Sequence, residues 1–160
     1  MQGMKEMDCY VFTDEPTGVV YGQLMDFCCL MAPTMLLVVR DPQLDPGDSI
    51  KSQLDLLSPF LLGSSREKEW PGTVLYADEA TVYRYSSGEG LQERLKQQAA
   101  SLFSWIHPDA PEDPCFLRRN GDVLLVTISH EREAYMLLSE DEIQIARRGF
   151  PELASILQKE

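Results

Sequence analysis

Residues 35–39 place five apolar side chains in succession, Met-Leu-Leu-Val-Val, and this run constrains the fold more than any other segment. A strand that is apolar at every position is typical of a sheet covered on both faces. Apolar residues recur at helical spacing over residues 20–31, and Pro33 ends that pattern. Another strand is predicted over residues 8–13. We therefore predict a strand, a helix and a central buried strand, joined as a right-handed crossover with parallel strands.

Three further helices are predicted from apolar spacing and capping residues. The first begins at Asp48, which can cap it, and ends or kinks at Pro59. Residues 89–106 form the longest amphipathic helix, with one face suited to packing on the sheet. The last begins with a capping box over residues 139–142 and ends near Gly149, before a short turn of helix opened by proline.

Two hairpins complete the predicted sheet. One covers residues 73–85, and the other, over residues 115–129, turns at Asn120-Gly121, a pair suited to the positive φ angles of a type I′ turn. Residues 107–114 hold three prolines and three acids, which predicts a stiff, exposed, acidic loop.

These elements predict a single globular domain over residues 1–160, of α/β or α+β class. The sheet is expected to be mixed, with five or six strands and three or four helices in the order β-α-β-α-ββ-α-ββ-α. Residues 1–7 are either a short disordered tail or the leading edge of the first strand.

The charge balance limits the partners. The chain has 26 Asp and Glu residues against 14 Lys and Arg, a net charge of −12. Such a surface repels phosphate backbones and anionic lipid headgroups, so nucleic-acid and membrane partners are not expected. A basic protein partner is favoured instead.

The sequence also predicts a cytoplasmic protein. Its apolar runs are far shorter than the roughly 20 residues that a membrane-spanning helix needs. Residues 1–8 lack the basic start and apolar run of a secretory signal. Four cysteines without a CxxC pair indicate reduced thiols.

Acidic loops and one tryptophan are the candidate partner-binding residues. The acids are grouped in two loops, and Trp70 offers a rigid aromatic ring beside a turn, a residue type common at the centre of interfaces. The predicted set is Asp41, Asp45, Asp48, Trp70, Asp109, Glu112 and Asp113.

His130, Glu131 and Glu133 are the candidate catalytic residues, because an imidazole and two carboxylates meet here after a predicted buried strand. The zinc-protease pattern needs a second histidine at position 134, which is alanine, so no metal site is predicted. Phosphate-binding glycine loops and a serine-hydrolase elbow are missing from the sequence, and no cofactor is expected.

Two segments carry a resemblance: Trp-Pro-Gly-Thr at residues 70–73 and Ile-Ser-His-Glu-Arg-Glu-Ala-Tyr at residues 128–135. Here the chain resembles small acidic bacterial proteins of unassigned function. The resemblance implies a bacterial cytoplasmic protein, and it brings no activity, cofactor or site residue with it.

The leading functional hypothesis is a non-enzymatic acidic binding domain, such as an immunity or inhibitor protein that neutralises a basic partner. One alternative is a secretion-type chaperone for an effector protein, acting as a homodimer. Another is a small hydrolase-like enzyme that uses His130 with Glu131 or Glu133.

Overall fold

The structure, a computed structural model, describes residues 6–40 and 47–160. The strands are β1 (Asp8–Phe12), β2 (Thr34–Val39), β3 (Leu61–Glu67), β4 (Glu69–Trp70), β5 (Thr73–Val74), β6 (Ala80–Ser86), β7 (Glu112–Leu117), β8 (Val123–Ile128), β9 (Glu133–Leu138) and β10 (Leu157–Lys159). The α-helices are α1 (Gly18–Met31), α2 (Asp48–Leu57), α3 (Leu91–Gln98), α4 (Glu140–Gly149) and α5 (Pro151–Ser155). Short 3₁₀ helices lie at Ser58–Phe60, Leu102–Ser104 and Ser129–Glu131. The fold is therefore α+β.

Eight strands of the described residues form one sheet in the order β10-β1-β9-β8-β7-β2-β6-β3, and β4 pairs with β5 as a separate hairpin. Every pairing between described strands is antiparallel, so the prediction of a mixed sheet with five or six strands is wrong. β1 and β2 do run in the same direction. However, β9, β8 and β7 lie between them and give both strands antiparallel neighbours. The described residues also form five α-helices rather than the predicted three or four, because the turn opened by Pro151 is a separate short helix.

The buried strand and the helix before it are confirmed. α1 ends at Met31, and it buries Cys28 among other residues of its sheet-facing side. β2 is buried from Met35 to Val39. Met35 and Leu37 join the main core beneath the helices, whereas Leu36 and Val38 face the opposite side of the sheet. Alternation along the strand thus explains why both faces had to be apolar.

The β4–β5 hairpin covers the side of the sheet that carries no helix. Trp70 packs there with Leu36, Val38 and neighbouring side chains in a second, smaller core. The hairpin turns at Pro71-Gly72, and Gly72 lies directly against β8. Part of this second face of the sheet is therefore buried from solvent, although no helix of the described residues covers it.

Two predictions between β2 and β7 are wrong, and one strand was not predicted. Residues 73–85 do not form one hairpin, because β6 pairs with β2 and β3 instead. β3 is the strand that was not predicted, since an edge strand needs no buried apolar face. The helix predicted over residues 89–106 ends at Gln98, because Ala99 is extended with φ −148°.

The prediction of an exposed acidic loop over residues 107–114 is also wrong beyond Asp109. Residues 110–116 are buried, and β7 begins at Glu112. The acidic side chains at this point are neutralised by an arginine from another strand, as described below.

The C-terminal half follows the predictions more closely. β7 and β8 form the predicted hairpin, but its turn is longer than type I′: Gly121 has φ +91°, and Arg118 N–H donates to Asp122 O across it. This pattern is a type I turn followed by a glycine in a positive-φ bulge. The capping box before α4 is confirmed, with Ser139 and Glu142 bonded to one another's backbone N–H. No helix in the described part of the chain is long and apolar enough to cross a membrane.

Candidate functional site

An ionic cluster with two buried carboxylates forms where β2 and β8 end and β7 begins, and we define it by Arg40, Trp70, Glu112, Asp113 and His130. Asp113 is completely buried and is its centre. Its Oδ2 accepts a hydrogen bond from Trp70 Nε1 at 2.9 Å and lies 3.5 Å from Arg40 Nη2. Burial of this carboxylate is therefore compensated by a charge-assisted pair and a donated hydrogen bond.

Arg40 joins the members of the cluster. It is the first residue after β2, and its Nε lies 3.6 Å from Glu112 Oε2. Its Nη2 lies 3.5 Å from His130 Nδ1, and its guanidinium stacks over the Trp70 ring with 5.3 Å to the centroid. One arginine thus faces both acids, the imidazole and the indole.

The cluster also fixes the turn that follows β8. Ser129 N–H donates to Asp113 Oδ1 at 2.8 Å, and Asp113 N–H donates to Ser129 Oγ at 3.0 Å. Asp113 has φ +56°, a left-handed conformation that Asp tolerates better than most residues. These reciprocal bonds hold the 3₁₀ helix Ser129–Glu131 against the start of β7.

The carboxylates and imidazole of the cluster have the residue types of a metal site. One ligand atom each from Glu112, Asp113 and His130 lies within 4.8 Å of the others. Arg40, however, already directs its guanidinium at all three groups, and it would repel a cation placed among them. The arrangement fits an internal ion-pair network better than a metal site.

The pH dependence of stability tests the role of Glu112 in the cluster. Burial raises the pKa of the Glu112 carboxyl, and the nearby Arg40 only partly opposes this. A carboxyl with a raised pKa binds its proton more tightly in the folded state, so its ionisation costs stability as the pH rises from the ordinary to the raised pKa. Measured by urea unfolding at several pH values, Glu112→Gln should therefore gain stability relative to wild type across that window.

Glu131→Gln removes an exposed carboxyl beside the same cluster, and it is the matched control that separates burial of Glu112 from the loss of one negative charge. If Glu112→Gln instead loses stability relative to wild type with rising pH, attraction to Arg40 outweighs the burial cost, and our account of Glu112 is wrong.

A groove of about 730 Å³ opens beside this cluster. β1 pairs with β9 as far as Val11 and Tyr135, but β9 continues pairing with β8 to Glu133. Beyond Val11 the segment 12–15 therefore separates from the start of β9. The gap is the groove, and its volume is within the usual range for ligand pockets.

The groove lining combines carboxylates with aromatic rings. The acids are Asp14, Glu15, Glu133 and Glu160, the aromatic residues are Phe12, Phe103 and Tyr135, and Cys9, Val11, Thr13, Arg132 and Ala134 complete the lining. The pKa of the Cys9 thiol is raised by burial and by its hydrogen bond with Glu160, so it stays a protonated thiol. The groove is therefore acidic and partly apolar, and it has no activated nucleophile at Cys9.

Within the part of the chain that the structure describes, Arg132 is the single base that lines the groove. Its Nη2 donates to Glu15 Oε1, and its guanidinium lies 5.4 Å from the centroid of the Phe103 ring. Its backbone is left-handed, with φ +55°, and it directly follows the 3₁₀ helix that Asp113 holds. The ionic cluster thus positions the residues that enter the groove.

The structure divides the predicted partner-binding residues into two places. Trp70, Glu112 and Asp113 come together in the ionic cluster, where they are buried rather than exposed. Asp48 and Asp109 are exposed near one another, since Ser49 Oγ donates to Asp109 O at 2.5 Å. Asp41 and Asp45 lie outside the described residues.

The candidate catalytic residues also lie in two places. His130 Nε2 lies 3.9 Å from Glu131 Oε1, while Glu133 lines the groove. Burial raises the pKa of Cys29 and of Cys115 to about 12, so neither is a thiolate at neutral pH. The hydrolase hypothesis therefore keeps a histidine near a carboxylate, as predicted for His130 and Glu131, and neither of these cysteines would add an activated thiol to it.

Most of the groove was missed by the sequence analysis. The sequence analysis did not single out Asp14, Glu15 or Phe103 as site residues. The excess of acids in the first half of the chain was the available signal. Comparisons with protein-family models, curated proteins and solved structures gave no match.

Proposed function

We propose that this chain is a non-enzymatic protein-binding domain that holds a basic segment of a protein partner in the acidic groove. The observation that carries the proposal is the composition of the lining, where the described residues contribute four carboxylates, one guanidinium and three aromatic rings. Lys and Arg side chains have both a cation and an apolar stem. A groove of this kind can bind both parts.

Asp14 and Glu133 supply the charge that is open to a ligand. Among residues 6–40 and 47–160, no Lys or Arg forms an ion pair with either carboxylate. Glu15, in contrast, is held by Arg132. A partner's cation near Asp14 and Glu133 would gain attraction without first breaking an internal pair.

The net charge of −12 supports the same function at longer range. It would accelerate the encounter with a basic partner and disfavour acidic ones, which suits an immunity or inhibitor protein that neutralises its target. The aromatic contacts in this proposal come from Phe12, Phe103 and Tyr135, because the Trp70 indole is occupied inside the ionic cluster.

Calorimetric titration with a short peptide of alternating glycine and arginine tests the proposal. We expect wild type to bind this peptide, more weakly as salt is added, and not to bind the same peptide with glutamate in place of arginine. The double variant Asp14→Asn/Glu133→Gln should bind the arginine peptide about tenfold more weakly or worse, because hydrogen bonds to charged groups are lost.

Asp55→Asn/Glu89→Gln is the matched control, since it removes the same charge from exposed positions on α2 and before α3. It should stay within about twofold of wild type, because neither residue lines the groove and exposed charges outside a site are screened by salt. If both double variants weaken peptide binding equally, the loss comes from the change in net charge, and our assignment of the binding site to the groove is wrong.

A secretion-type chaperone is the second candidate function, and β3 is the observation that favours it. β3 is an edge strand of the described sheet, and Leu61 and Leu62 are exposed on it. An extended client segment could add to such an edge through backbone hydrogen bonds. A chaperone of this class is expected to be a dimer, so light scattering that finds only monomer at working concentration would count against it.

A further inference from the structure

Arg132 places the chain's own basic side chain in the acidic groove. The two contacts of its guanidinium, with Glu15 and with the Phe103 ring, are those that an arginine from a partner would make. The Arg132 side chain is 67% exposed, so it is held mainly by these two contacts and not by close packing with other side chains. The groove therefore contains a subsite for arginine that is already occupied from within.

We infer that Arg132 is an internal pseudo-ligand, and that an arginine of the basic partner displaces it from the subsite formed by Glu15 and Phe103. This inference rests on the proposed function, and it specifies the ligand as an arginine-bearing segment. The exchange breaks no covalent bond. One guanidinium leaves the carboxylate and the ring, and another takes its place.

Displacement of Arg132 requires a side-chain movement only. The turn that carries it is fixed by the bonds between Ser129 and Asp113, so its backbone can stay in place. Exposed ion pairs of this kind are weak, and the released guanidinium regains water. Arg132 thus lowers the apparent affinity for weak ligands without closing the groove.

The ring contact favours arginine over lysine. A guanidinium is planar and weakly hydrated, so it can stack on Phe103 while it donates to Glu15. A lysine ammonium is more strongly hydrated and cannot stack in this way. The subsite should therefore distinguish two ligands of equal charge.

Arg132→Asn tests the inference, because asparagine tolerates the left-handed backbone and has no guanidinium. The probes are two short peptides, one of alternating glycine and arginine and one of alternating glycine and lysine, titrated by calorimetry. We expect Arg132→Asn to bind the arginine peptide about tenfold more tightly than wild type, and the lysine peptide only about twofold more tightly.

Arg119→Asn is the matched control, because it removes the same charge from an exposed position in the β7–β8 turn. It should change neither affinity by more than about twofold. Phe103→Leu in the Arg132→Asn background keeps the added negative charge but removes the ring, so the preference for arginine should disappear. Circular dichroism checks that this variant is folded.

The outcomes separate the inference from the function on which it rests. If Arg132→Asn tightens both peptides equally, or neither, while wild type binds them, the pseudo-ligand is wrong and the binding groove remains. If neither wild type nor Arg132→Asn binds either peptide, the proposed function itself is wrong.

Discussion

Replacing Asp113 by alanine is expected to lower the free energy of unfolding by about 3–5 kcal/mol, the usual cost of removing one partner of a buried charge pair. The carboxylate accepts hydrogen bonds from the Trp70 indole and from Ser129 N–H. Alanine leaves both buried donors without an acceptor, and it leaves Arg40 with one carboxylate fewer. It also suits the φ of +56° less well than aspartate.

Urea unfolding measures this loss of stability, and two further variants show where it comes from. Asp113→Asn keeps the shape and tolerates the backbone but removes the charge, so a smaller loss of about 1–3 kcal/mol is expected. Asp109→Ala changes an exposed carboxylate four residues earlier and should stay within about 0.5 kcal/mol of wild type. Equal stabilities of the alanine variants at positions 113 and 109 would mean that the ionic cluster is not a stabilising unit.

Asp113→Ala should also alter ligand binding in the groove, although Asp113 does not line it. Loss of the Ser129 bonds frees the turn that carries Arg132 and Glu133. We therefore expect Asp113→Ala to weaken binding of the arginine peptide even below the temperature at which the variant unfolds. Unchanged affinity in the folded variant would separate the cluster from the groove.

The ionic cluster shows why the exposed loop was mispredicted. Three prolines and three acids over residues 107–114 are a local pattern, and local patterns of that composition are usually solvated. Burial of Glu112 and Asp113 depends on Arg40, which is distant along the chain and arrives only because β2 pairs with β7. The compensating charge is a property of the strand order, which the sequence pattern did not contain.

The order of the strands in the sheet also could not be predicted from local sequence patterns. Residues 35–39 could be predicted as buried on both faces because each position carries an apolar side chain. The neighbours of β2 could not be predicted. They are the antiparallel strands β6 and β7, and the alternation of apolar and polar residues in those two strands is compatible with several strand orders. The edge strands β3 and β10 were missed because one side of an edge needs no apolar partner.

The acidity of the groove could be anticipated from the composition of the chain, but its position could not. The acidity of the chain indicated a basic partner, and His130 and Trp70 were singled out as unusual residues. The groove, however, collects Asp14, Glu133 and Phe103 from separate segments. Only the separation of β1 from β9 brings these segments to one place, and that separation depends on register.

Replacing Gly72 by alanine is expected to lower the free energy of unfolding by about 2–4 kcal/mol, through overpacking and a strained backbone. A Cβ here would lie 2.8 Å from Val126 Cγ1 and 3.1 Å from Ile128 Cγ1, and the residue has φ +93°. The β4–β5 hairpin would have to move away from β8, and Trp70 would move with it. Urea unfolding gives the loss, and acrylamide quenching of tryptophan fluorescence reports the added exposure of Trp70.

Gly63→Ala is the matched control for this substitution, because a Cβ at Gly63 meets no atom within 4 Å, and it should change stability by no more than about 0.5 kcal/mol. Val126→Ala in the Gly72→Ala background removes the closest methyl group. If the contact with Val126 is the cause, the double variant should be more stable than the sum of the two single losses predicts. Strict additivity would instead assign the loss to the backbone conformation at position 72, and the hairpin would then not be held by its contact with β8.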